Sequence, residues 1–141
     1  MNKLTLLRRW TWELPQSLLG AILIPFYNKK RLRTISYGNQ EVYIYDGFPG
    51  GISLGYYTLV DYNRTDWNLN IGRMKLSQSI KHESGHGIQS KWSGPFYLII
   101  FGLPSAIHNL ICRYKESRNL PYNYYSFWVE KLADKLGGVK R

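Results

Sequence analysis

Cysteine occurs once, at Cys112, and a single thiol excludes an intramolecular disulfide framework and any multi-thiolate metal site. Acidic residues are also few, nine against 19 Lys plus Arg, which leaves a net charge of +10. That balance favours contact with nucleic acid, anionic lipid or acidic substrates, and selects none of them. Long hydrophobic runs are missing. The two longest, 14–26 and 95–107, contain Pro15 and Pro25 in one case and Gly102 and Pro104 in the other. Both fall short of the roughly 20 residues that a transmembrane helix needs. A secretory leader is not expected either, because Glu13 precedes the first apolar stretch and no small-x-small site follows it. The expectation is a cytoplasmic protein, with membrane-associated and secreted forms as the alternatives. Internal repeats and low-complexity segments are absent from the sequence.

What is present fits one domain, 1–141. A chain of 141 residues with 44% hydrophobic and 20% charged residues can bury one core without staples. In 14–26, Leu14, Leu18, Leu19, Ile22 and Leu23 recur at helical spacing, flanked by Trp10 and Trp12 and preceded by Arg8 and Arg9. An interfacial helix with basic and aromatic anchors, making peripheral membrane contact, would read this way. So would a core helix packed on a sheet, which is the expectation, since a small domain must cover its sheet with something. From 31 to 62 the pattern turns to short aromatic and β-branched runs. Segments 33–37, 41–45 and 52–60 read as strands of a small antiparallel sheet, with Gly38-Asn39 and Asp46-Gly47 supplying turns. A polar loop is expected over 62–72. Helices are then expected over 77–92, over 96–113 with a kink or break at Pro104, and over 124–136 with a stop at Gly137-Gly138. The fold class is α+β.

Two of the three histidines lie in His82-Glu83-Ser84-Gly85-His86, an H-E-x-x-H pattern inside a helical segment. Residues i and i+4 share one helix face, so both imidazoles can converge on one Zn²⁺ at roughly 2.0–2.1 Å. Glu83 is rotated by about 100° from His82, beside the metal, where it can take a proton from a zinc-bound water. Gly85 and Gly87 run against this helix by roughly 1 kcal/mol each. Small residues there would let another backbone approach closely.

Catalytic zinc wants three protein ligands and one open position. Downstream, Glu130 and Asp134 stand at i and i+4 on a helix whose apolar stripe is Val129, Leu132, Ala133 and Leu136. Glu130 can be the third ligand while Asp134, one turn on, accepts the other ring N–H of a ligating histidine and so fixes its tautomer. His108 is a rival third ligand, but its apolar Pro-Ser-Ala-Ile context suits a satisfied core or helix-end histidine better.

At these residues the sequence resembles the gluzincin class of zinc metallopeptidases, which carry H-E-x-x-H on one helix and E-x-x-x-D on a later one. The resemblance implies a zincin-like domain, with the sheet packed on the motif helix and a C-terminal helix. It implies His82, His86 and Glu130 as zinc ligands, Glu83 as general base and Asp134 as partner of a ligand histidine. It implies hydrolysis of peptide bonds in a peptide or protein substrate. The wider stretch from His82 to Asn109 also looks like a group of small bacterial proteins and toxin-associated C-terminal domains. The segment 52–60 is the last strand before the motif helix, where zincins place the edge strand that aligns substrate, with Ser53, Leu54, Gly55 and Tyr56 as its expected contacts. A different class of function is a basic aromatic module. There Lys29, Lys30, Arg31 and Arg33 would hold phosphates while Tyr37, Tyr43 and Tyr45 stack bases. No nucleic-acid motif supports it, and nucleic acid is not the expected partner. The third alternative is an inactive zincin-like interaction protein.

Overall fold

Gly38, at φ +56°, and Asn39 form a two-residue turn that joins β1 (Arg31–Tyr37) to β2 (Gln40–Tyr45) as an antiparallel hairpin. The computed structural model describes residues 3–48, 50–62 and 70–141. Of the loop expected over 62–72, 63–69 falls outside the described residues, while 70–72 already belong to the helix Asn70–Ser93, not to a loop. Segment 52–60, expected as one strand, is a second hairpin. β3 (Gly51–Leu54) turns at Gly55 (φ +61°) and Tyr56 into β4 (Tyr57–Asp61). A left-handed glycine in mid-segment reverses the chain, and β-propensity on both sides hides it. The sheet order is β1-β2-β4-β3, so β4 lies beside β2 and runs parallel to it. The sheet is therefore mixed, where the sequence suggested antiparallel pairing throughout. β4 takes the central slot because Thr58, Leu59 and Val60 are all fully buried, while β3 is left at the edge.

Both faces of the sheet are covered. Val42, Ile44 and Val60 point to one side and pack with Ile80 and Leu76 of α3 (Asn70–Ser93). Tyr43, Tyr45 and Leu59 point to the other, with Phe48, and meet Ile24 and Tyr27 of α2 (Leu14–Tyr27). A short helix, α1 (Lys3–Arg9), precedes α2. The expected core helix is thus present in α2, but it buries Gln16, Ser17 and Gly20, while Leu14, Leu18, Leu19 and Ile22 are exposed.

Beyond α3 the chain makes a tight turn at Gly94–Phe96 and a π-helical turn at Leu98–Gly102. Then follow α4 (Leu103–Ser117), with Pro104 in its first turn, and α5 (Trp128–Gly137), capped by left-handed Gly138. The glycine stop falls where expected, whereas the backbone stays right-handed helical through Gly102 and Leu103 into Pro104, the irregularity being the π-helical turn just before it. α5 begins four residues later than 124, because Tyr124–Ser126 forms a separate turn. No helix among the described residues is long and apolar enough to cross a membrane.

Candidate metal centre

α3 and α5 touch backbone to backbone. A Cβ on Gly85 would overlap the carbonyl of Ala133, and one on Gly137 the carbonyl of Lys81. The close approach brings the carboxylate of Glu130 between the two motif histidines. Glu130 Oε2 lies 3.0 Å from His82 Nε2 and 3.2 Å from His86 Nε2. Ligand atoms of His82, His86 and Glu130 all fall within 4.8 Å of one another, and the three residues are buried.

The outer nitrogens are held as well. Asp134 Oδ1 accepts from His82 Nδ1 at 2.8 Å, and Gln89 Oε1 accepts from His86 Nδ1 at 2.7 Å. The Gln89 amide is oriented by donating Nε2 to the Val129 carbonyl at 3.0 Å, which assigns the proton on His86 to Nδ1. With both Nδ1–H groups engaged, neutral rings would turn two Nε2 lone pairs on one carboxylate oxygen. Lone pairs facing an anion in a buried site require a cation between them, either a proton or a metal. Two imidazoles and one carboxylate suit zinc. In the metal-free chain, burial pulls the His82 pKa down, but hydrogen bonds to Glu130 and Asp134 and the charge of Glu83 prevail and raise it to about 9. Burial works against ionised Glu130 too, and the hydrogen bonds from His82, His86 and Ser105 overcome it and hold the carboxyl well below its usual range.

Glu83 lies one residue on from His82, with its carboxyl pushed up by burial. A Cβ on Gly51 would collide with Glu83 Oε1, so the first residue of β3 must be glycine for this carboxylate to sit where it does. Glu83 Oε2 is buried with no protein partner among the described residues. His82 and Glu83 line an open cleft of about 700 Å³ whose walls include Gly50, Gly51, Tyr62, Asn109, Tyr124 and Tyr125.

The edge strand enters here in altered form. Asp61 N–H donates to the Gly50 carbonyl, and strict alternation then turns the backbone groups of Gly51 and Ser53 away from β4, toward the open side. Ser53 and Leu54 therefore belong to the edge strand. Gly55 and Tyr56 form its turn, and the Gly55 carbonyl is taken by Arg9 and Gln40. The Ser53 carbonyl also has a partner, the Tyr97 hydroxyl at 3.0 Å.

Three further residues complete the surroundings. Ser105, at the start of α4, donates to Glu130 Oε1 at 2.5 Å. Tyr124 lies close by, and burial followed by the Glu130 charge raises the pKa of its phenol. Tyr125 presents its ring edge-on to His82, while Arg141 covers that ring and bonds Asp134 at 2.9 Å. Spacing alone could have found Gln89, at i+3 from His86. No sequence signal marks Ser105 or Tyr124. His108 stays outside the cluster, with Nε2 on the Tyr124 carbonyl at 2.9 Å and its ring stacked on Phe127. Of the tyrosines suggested for base stacking, Tyr43 and Tyr45 are in the core and Tyr37 is exposed. No protein-family model, curated protein or solved structure matches this chain.

Proposed function

We propose that the protein is a zinc-dependent peptidase on a zincin-like scaffold, hydrolysing peptide bonds in an extended segment of a peptide or protein. One observation carries the reading: two histidine Nε2 atoms converge on one oxygen of Glu130, with Glu83 buried beside them and against an edge strand. His82, His86 and Glu130 would hold the zinc. Bound there, the metal supplies a Lewis acid that polarises a carbonyl and brings the pKa of a water toward ~7.

The remaining chemistry belongs to the chain. Asp134 and Gln89 hold the imidazoles in the tautomer that turns Nε2 inward. Ser105 occupies Glu130 Oε1, which leaves Oε2 for the metal. Glu83, with a raised pKa and one unpartnered oxygen, accepts the proton of the attacking water and returns it to the leaving amine. An extended peptide adds to the open side of β3 at Gly51, through backbone hydrogen bonds that ignore side-chain identity. The Ser53 carbonyl is occupied by Tyr97, so the ladder is short and specificity weak.

The test is zinc content and turnover of protein purified without chelator, assayed on an unfolded protein substrate. Wild type and Glu83→Gln should each hold one zinc, and His86→Ala should not. Glu83→Gln should lose about 10²–10⁴-fold in turnover. A wild-type protein that takes up no zinc from equimolar solution, or a Glu83→Gln variant as active as wild type, overturns the reading.

A further inference from the structure

α2 is built inside out. Its buried residues are Gln16, Ser17 and Gly20, whereas Leu14, Leu18, Ile22 and Phe26, four apart and so on one stripe, face outward, Phe26 being 79% exposed. The polar interior is tied in through one end of Gln16, whose Nε2 donates to Ser90 Oγ and to the Gly94 carbonyl, both at 2.9 Å, while its Oε1 has no partner among the described residues. A helix of a globular domain puts its apolar stripe in the core; this one turns it outward.

A second stripe follows the same rule. Phe96, Ile99, Leu103, Ile107 and Leu110 recur at steps of three or four and are exposed, Ile99 by 69% and Leu110 by 67%. At about 100° per residue, the opposite face of α4 carries Asn109, Cys112 and Glu116, which line the cleft. The exposed stripe is therefore not a wall of the substrate site. The two stripes join at Trp12, which donates Nε1 to the Lys91 carbonyl and packs on Gly94, two residues before Phe96. Beside this junction Trp92 is 59% exposed.

Charge distinguishes the possible occupants. Within 3–30 the sole acid is Glu13, buried against Arg8 and Arg9, and 91–115 contains none. Exposed Lys29 and Lys30 follow the end of the α2 stripe, and exposed Lys91 precedes the second. A second copy in a two-fold contact would set this basic surface against itself. An anionic bilayer complements it, and apolar residues with Trp and Lys at the margins are what the headgroup boundary accommodates.

We infer that the joined outer faces of α2 and of 96–110 form one docking surface for an anionic lipid bilayer, on which the protein lies without crossing. This inference does not depend on the peptidase reading.

The experiment is flotation of the full chain with vesicles of phosphatidylcholine plus phosphatidylserine, and with phosphatidylcholine alone. Wild type should float with the anionic vesicles and be weakened when salt rises from about 0.1 to 1 M, where screening shortens from ~10 to ~3 Å. Ile22→Glu/Phe26→Glu and Ile107→Glu/Leu110→Glu, all at exposed positions, should each cut partition by about tenfold or more with circular dichroism unchanged. Wild type that stays off the anionic vesicles overturns the inference. So does a solution dimer that these variants dissolve while lipid binding is absent, because it assigns the face to a second copy.

Discussion

Gly85 costs α3 local helix stability and is required by the neighbour it meets. The group that a Cβ at Gly85 would strike is a backbone carbonyl, that of Ala133, three residues from Glu130. Backbone cannot swing aside, so Gly85→Ala must push α5 away and carry the Glu130 carboxylate, the proposed ligand, with it. The expected result is destabilisation of about 1–3 kcal/mol and weaker zinc retention against a chelator, although every ligand is intact. Gly87→Ala is the comparison, since its Cβ meets the side-chain end of Gln40 rather than backbone, and should disturb the Gln40 bonds to Ser53 and Gly55 while leaving the α3–α5 contact in place. Undiminished zinc affinity in folded Gly85→Ala would break the link between close packing and the site. Asp134→Asn tests the next layer. It keeps the shape and removes the charge facing His82 Nδ1, and zinc affinity should fall on the order of 10–100-fold by competition titration. Equal affinity would mean that the His82 tautomer is fixed without Asp134. The grouping of His82, Glu83, His86, Glu130 and Asp134 was legible because i, i+4 spacing fixes direction on a helix before any tertiary structure exists. Ser105 and Tyr124 were not, because they reach Glu130 through the turn at Leu98–Gly102 and the turn at Tyr124–Ser126, which no local pattern announces.

At the scale of elements, period separated strands from helices correctly, and Gly138 ended α5 as expected. Topology was a different matter. Nothing in 52–60 tells a reader that β4 will slip between β2 and β3, because that choice depends on which strand buries both faces. α2 misled for the opposite reason. Its apolar spacing is genuine, yet its burial is decided by a polar cluster that spacing cannot reveal. Arg9 Nη1 donates to Glu13 Oε1 at 2.5 Å and to the Gly55 carbonyl at 2.7 Å, and Ser90 Oγ donates to the same Glu13 oxygen at 2.6 Å. Arg9 and Glu13 are both buried, so the pair ties α1 and α2 to the tip of the β3–β4 hairpin and to α3. Glu13→Ala leaves a buried guanidinium uncompensated and should cost about 3–5 kcal/mol in urea unfolding. Arg8→Ala removes the more exposed partner and should cost about 0–1 kcal/mol. Similar losses for the two variants would show that the buried pair is not what holds the N-terminal helices in place.

At the scale of the whole molecule, the proposed metal centre lies between α3 and α5, so zinc held there should appear in global stability and in its pH dependence. Among the described residues, His82, His86 and Glu130 offer the site where zinc would add a cross-link. At free zinc of 100 to 1,000 times Kd, binding would stabilise the fold by roughly 2.7–4.1 kcal/mol, or very roughly 5–15 °C in Tm for a chain of this size. The pH sign follows from His82. In the metal-free protein its pKa is raised above the ordinary 6.5 to about 9, so protonation favours the folded state. That contribution is complete below 6.5 and is lost as pH rises through about 9. Zinc needs the same nitrogen unprotonated, so its affinity climbs over the same window by up to about tenfold per pH unit for one displaced proton. The two trends run in opposite directions, and the Tm difference between zinc-loaded and chelator-treated protein should widen steadily from pH 6.5 to 9. Thermal unfolding across that range, with and without chelator, measures it directly. A gap that stays constant would mean that zinc displaces no proton from His82, and with that the assignment of His82 Nε2 as a ligand would fail.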